Sequence, residues 1–117
     1  LIFMAFDDLE LKKIDKTVGE RLCNRVPSGV RDRLRFEYRI EGQSVIISEV
    51  RQRWDKPEEW SYLDFAKLRY IRKTGTWKLY WMRQSGKWEL YEPKGEAKYL
   101  GTLVTAVEED RYGCFFG

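Results

Sequence analysis

The chain has 117 residues, enough for one compact domain, with 22 Lys and Arg against 19 Asp and Glu. Trp, Tyr and Phe number 5, 7 and 6, and histidine is absent. Ser–His–Asp and Cys–His catalysis within the chain is therefore excluded, as is any His-ligated zinc or haem site. The aromatic content instead promises a large apolar core, since each such ring buries roughly 150–250 Å².

The longest apolar run, Leu1 to Phe6, falls far short of the roughly 20 residues that span a bilayer. It has no basic flank and runs into Asp7 and Asp8, so it does not read as a signal peptide and no membrane partner is expected. Cys23 and Cys114 match no metal spacing, and a secreted domain of this size usually carries more cysteines. A reducing cytoplasm is the expected location, with no metal and no cofactor. Positive charge concentrates in the middle of the chain. Residues 31–94 hold 15 basic and 10 acidic side chains, whereas residues 1–30 balance and residues 95–117 are acidic.

Residues 7–26 read as an amphipathic helix. Leu11, Ile14, Val18, Leu22 and Val26 recur at steps of three and four and form one stripe. Asp7 with Glu10 has capping-box spacing, and Phe6 with Leu11 has that of a hydrophobic staple. Pro27, Ser28 and Gly29 end the helix. The period then changes to two. Leu34, Phe36, Tyr38 and Ile40 alternate with Arg33, Arg35, Glu37, Arg39 and Glu41, which predicts a half-buried strand over 33–41. A second strand spans 45–54. A two-residue connection at Gly42–Gln43 sets Ile47 opposite Tyr38, and a three-residue one sets Val50 opposite Phe36. The register stays open between them. Asp55 to Ser61, with Pro57, is a loop.

Strands over 65–73, 76–84 and 87–92 follow, joined by turns at Thr74–Gly75 and Ser85–Gly86. Counting outward from both turns puts Leu68, Trp81 and Leu90 in one row and pairs Tyr70 with Leu79. It also brings Arg72 to Trp77 and Arg83 to Trp88, as candidate cation–π contacts. This is the expected core face. The opposite face then carries Lys67, Met82 and Glu89, then Arg69, Tyr80 and Tyr91, then Ile71 and Lys78. A second helix over 98–110 has the stripe Leu100, Leu103, Val104 and Val107. The predicted fold is a single α+β domain over residues 1–117. A five-stranded, mostly antiparallel meander is flanked by an N-terminal and a C-terminal helix packed on one face.

The residues Ala66-Lys67-Leu68-Arg69-Tyr70, Trp77-Lys78-Leu79-Tyr80-Trp81-Met82-Arg83, Lys87-Trp88, Tyr91-Glu92-Pro93, Asp110 and Gly113 to Gly117 resemble one family. This is the domain of unknown function 3024 family of small bacterial proteins. The resemblance covers roughly residues 36–117. It implies a bacterial, cytoplasmic protein and no assigned reaction. A histidine often follows the family's counterpart of Trp88; Glu89 stands here.

The candidate site is the outer sheet face, with Lys67, Arg69, Lys78, Tyr80 and Tyr91. Tyr, Met and Arg there suit a protein partner or a homodimer. Exposed aromatics among cations also suit single-stranded RNA or DNA. The structural alternative is an ordinary solvated face. Trp77 and Trp81, two apart on one strand, read as core packing or as the lining of an apolar pocket. Trp54 and Trp60 bracket the Pro57 loop as a clamp or as a sticky rim. The tail, Tyr112 to Gly117, either folds back on the core or serves as a hook. A small enzyme would need Cys114 as a thiol nucleophile, or the carboxylates Asp55, Glu58, Glu59 and Asp64, or Glu108, Glu109 and Asp110.

Overall fold

The computed structural model describes residues 6–116; Leu1 to Ala5 and Gly117, the ends of the apolar run and of the tail, lie outside the described residues. Helix α1 (Asp8–Ile14) starts on a complete capping box. The Asp7 carboxylate accepts from the Glu10 N–H at 2.8 Å, and the Glu10 carboxylate accepts from the Asp7 N–H at 2.9 Å. The expected staple does not form. Leu11 points to solvent, while Phe6 is buried against Trp77, with ring centroids 5.7 Å apart. A large indole offers more apolar area than one leucine on the same helix.

Ile14, Val18, Leu22 and Val26 are all buried. Their spacing is four throughout, and on a 3.6-residue helix each such step rotates about 40° off the stripe. From Asp15 to Leu22 the chain is π-helical, and the Cys23 N–H donates to Val18 five residues back. The wider turn counters that drift and keeps the stripe on the sheet.

Gly19 sits where a side chain would run into the Asp15 carboxylate of its own helical segment and the Tyr38 ring of the sheet. A Cβ there would lie 2.7 Å from Asp15 Oδ1 and 3.1 Å from the Tyr38 ring. The Tyr38 hydroxyl donates to that same carboxylate oxygen at 2.7 Å. Burial, then this bond to an anion, push the Tyr38 phenol up to about 12. Gly19→Ala should displace Asp15 and lower the Tyr38 titration toward 10, read by phenolate absorbance across an alkaline titration.

Six strands form one antiparallel sheet: β1 (Leu34–Glu41), β2 (Ser44–Gln52), β3 (Trp60–Ile71), β4 (Thr76–Met82), β5 (Trp88–Leu90) and β6 (Glu96–Ala97). β1 to β5 follow in spatial order, and β6, unforeseen in the sequence, pairs with β4 beside β5. The β1–β2 connection is the two-residue one, so Ile47 faces Tyr38. Helix α2 (Leu100–Glu109) buries Leu100, Leu103, Val104 and Val107, as its periodicity requires. Both helices lie on one face of the sheet and share a core with Val45, Ile47, Leu68 and Leu79. Arg21 bridges them, donating to the Gly101 carbonyl and pairing with Glu108.

Two connections differ from expectation, with different consequences. β3 and β4 are joined by four residues, so Leu68 faces Leu79 and Tyr70 faces Trp77. A two-residue Thr–Gly turn of the favoured hairpin type needs a left-handed Thr74, which a β-branched residue resists. The slip is two residues, an even number, so every β3 and β4 side chain keeps its face. β4 and β5 are instead closed by three residues, 84–86. The Gly86 N–H donates to Arg83 at 2.9 Å and Gly86 has φ +83°, a turn ended by one left-handed residue. That slip is one residue, so β5 is reversed. Trp88 and Leu90 join Met82 and Tyr80 on the outer face.

Neither Arg–Trp pair forms in the new register. Arg72 stacks on Tyr70 at 5.4 Å and pairs with Glu10 at 2.9 Å. Arg83 lies 3.7 Å from Glu89.

Candidate functional site

Among the described residues no helix covers the outer face of the sheet, and the residues of that face fall into two zones. Over β1 to β3 the face covers itself. Arg39 holds both Asp64 oxygens at 2.9 Å, Ser48 donates to the same carboxylate at 2.6 Å, and Arg39 also reaches Glu41. The guanidinium, with the Ser48 hydroxyl, holds the Asp64 carboxyl below the usual carboxylate range. Arg35 pairs with Glu37 and lies 4.5 Å over the Trp60 ring. Beneath these long side chains Ile46 and Val50 are buried.

Over β3 to β5 the face is open and cationic. Lys67 lies directly opposite Tyr80, its ammonium 5.6 Å from the Tyr80 ring and 6.0 Å from that of Trp88. Arg69 lies opposite Lys78, and Leu90, 38% exposed, closes the Lys67–Tyr80 row. Like charges directly opposite each other on a sheet repel. An acidic ligand laid across Arg69 and Lys78 relieves that repulsion.

Four of the five expected residues, Lys67, Arg69, Lys78 and Tyr80, share this zone. Tyr91 does not, and its assignment to the outer face is corrected. It follows the reversed β5 onto the core side, is only 3% exposed, and packs on Phe115 at 5.0 Å. Trp88 and Leu90 take its place. A two-residue Ser85–Gly86 turn predicts both on the core face, and the three-residue turn overturns that expectation. The only local signal for the longer turn is Gly86 itself, and it fits either loop.

The other candidates separate cleanly. Trp77 is buried in the core, and Trp81 packs against it half-buried. Trp60 lies under Arg35 while Trp54, 94% exposed, stands at the tip of the β2–β3 connection, so the two do not clamp the loop. The tail folds back. Asp110, left-handed at the end of α2, accepts from the Phe115 and Phe116 N–H groups at 2.9 and 2.8 Å. Phe116 stacks on Phe36 at 5.6 Å.

Cys23 is pushed up to about 11 by burial. Cys114 is also raised, by desolvation and then by Asp110 and Glu89. Such surroundings oppose the thiolate that a cysteine nucleophile requires. Arginines take up the carboxylates. Asp55 and Glu59 both go to Arg53, Asp64 goes to Arg39, and Glu108 goes to Arg21. Among the described residues no group of three or more Cys, Asp or Glu side chains is placed to hold a metal ion. No helix there is long and apolar enough to cross a membrane.

No curated protein and no solved structure matches the chain. The sequence model of the family described as "Domain of unknown function (DUF3024)" matches residues 6–117, which takes in the N-terminal helix, all six strands, α2 and the tail. With nearly the whole chain matched, the protein belongs to the DUF3024 family.

Proposed function

We propose that the chain is a non-enzymatic binding module of the bacterial cytoplasm, which takes a protein partner on the open zone of its outer sheet face. The partner surface is acidic and carries apolar side chains. The observation that carries this reading is the mixed character of the zone. Lys67, Arg69 and Lys78 lie among Tyr80, Met82, Trp88 and Leu90, with no layer above them among the described residues. Tryptophan, tyrosine, methionine and arginine are the side chains enriched at protein interfaces.

The reversal of β5 favours a protein over single-stranded nucleic acid. It exchanges Tyr91 for Trp88, so the number of rings on the face is unchanged, and it adds the aliphatic Leu90, which a protein interface buries and a base-stacking surface does not use. The net charge of +3 is also small for a polyanion binder.

The test is affinity capture from native lysate with and without nuclease. A partner retained after nuclease, lost with Trp88→Ala or Tyr80→Ala and kept with Trp54→Ala, is the expected result. Retention on a single-stranded oligonucleotide column that falls steeply with salt would assign the face to nucleic acid instead.

A further inference from the structure

We infer that β1 is the contact edge of a symmetric dimer, in which the β1 strands of two copies pair antiparallel about Tyr38. β1 is the outermost strand on its side of the sheet and runs for eight residues without proline. Its main-chain groups divide into two sets. The two-residue connection closes on the Glu41–Ser44 pair, and the Gln52 N–H donates to Arg33. Odd-numbered residues therefore bond to β2, and the N–H and C=O groups of Leu34, Phe36, Tyr38 and Ile40 point away from the sheet. Among the described residues no hydrogen bond joins these groups to another element.

Such an edge templates further pairing unless proline, a bulge, a covering element or charged side chains block it, and charges block a second copy where like signs fall opposite each other. Here the sign alternates. Arg35, Glu37, Arg39 and Glu41 share the outer face, and their side chains are 37%, 43%, 47% and 54% exposed. With Tyr38 opposite Tyr38 of a second copy, Arg35 meets Glu41 of that copy and Glu37 meets its Arg39. By symmetry all four contacts are between opposite charges. The same register sets outward main-chain groups against each other, Phe36 to Ile40 and Tyr38 to Tyr38.

Neighbouring registers fail. Sliding the second strand two residues one way sets Arg35 against Arg39 and Glu37 against itself. Sliding it the other way sets Glu37 against Glu41 and Arg39 against itself. A one-residue slide opposes outward groups to groups already bonded to β2. A slide of four residues keeps at most two of the opposite-charge contacts, so the full set of four forms in one register, with a second copy as the occupant. This edge lies three strands from Tyr80, so the dimer leaves the proposed partner face of each copy open.

The test uses sedimentation equilibrium and amide exchange on the full chain. The wild type is expected to dimerise, and the Phe36, Tyr38 and Ile40 amides to gain protection as concentration rises. The amides of Arg35, Glu37 and Arg39 stay protected throughout. Arg35→Glu and Glu41→Arg each place two like-charge contacts in the dimer and weaken it about tenfold. The double variant Arg35→Glu/Glu41→Arg restores the dimer. Within one chain it leaves like charges side by side at 35 and 37 and at 39 and 41, so recovery can come only across the interface. A chain that stays monomeric at all concentrations overturns the inference. So does a dimer in which those three amides exchange freely, or a double variant no stronger than its singles. Trp88→Ala is expected to leave the dimer intact, which separates this result from failure of the partner-face reading.

Discussion

Trp77→Ala should destabilise the protein by about 3–5 kcal/mol, the range for truncating a buried aromatic. Trp77 packs between Phe6, at 5.7 Å, and Tyr70, at 5.0 Å, so it ties the start of the first helix to β3 and β4. Its loss leaves a cavity at the point where Phe6 meets the sheet. The collapse of Phe6 into that space recovers only part of the lost contact. Urea unfolding followed by circular dichroism gives the magnitude. Trp54→Ala is the matched control. Its side chain stands in solvent, and the expected change is within about 0.5 kcal/mol. A Trp77→Ala cost near the control value would show that the helix docks without this contact.

Phe115→Ala is expected to cost about 3 kcal/mol or more, which would make the tail a part of the core rather than an appendage. Phe115 is buried against Tyr91, and its main-chain N–H is held by the Asp110 carboxylate. Two observations separate packing from tethering. Asp110→Ala keeps the Phe115 ring but removes both tail hydrogen bonds and should cost about 2–3 kcal/mol, since bonds to a charged group are the stronger kind. In either variant Tyr91 becomes accessible, and nitration or solvent-perturbation spectroscopy should detect one additional exposed tyrosine. An unchanged midpoint in both variants would mean that the tail rests on the surface and that its hook reading deserves preference.

Much of the architecture was legible without coordinates, for a physical reason that differs between elements. The stripe of Ile14, Val18 and Leu22 reports a buried helix face, because only a helix brings residues four apart together. The widening to a π-helix is not legible, since it depends on where the sheet lies beneath Val18 and Gly19. The alternation from Leu34 to Glu41 reports both the strand and which side is apolar. Periodicity alone assigns Lys67, Arg69, Lys78 and Tyr80 to the outer face, although the β3–β4 turn is two residues longer than Thr74–Gly75 implies. A two-residue slip preserves the face, so the difference changes neighbours and not orientation.

The β4–β5 connection had no such protection. One residue in the length of a turn reversed Trp88, Leu90 and Tyr91 together. Ser85–Gly86 suits both a two-residue turn and the end of a three-residue one, so local chemistry does not choose. What chooses is the tertiary environment. Tyr91 gains a buried contact with Phe115, and the tail that carries Phe115 is brought back by Asp110 from the far end of α2.

The sequence by itself determined that the chain carries no histidine chemistry and that an antiparallel sheet forms with helices on one side. It also determined that Lys67, Arg69, Lys78 and Tyr80 lie together on the other side. These follow from composition and from periodicity, which act over a few residues. Only the tertiary structure decided which aromatics complete that surface, that Phe115 is part of the core, and that β1 is an edge whose even-numbered main-chain groups meet no other element among the described residues. Each depends on contacts between residues far apart in the chain, where small local preferences are outweighed by burial.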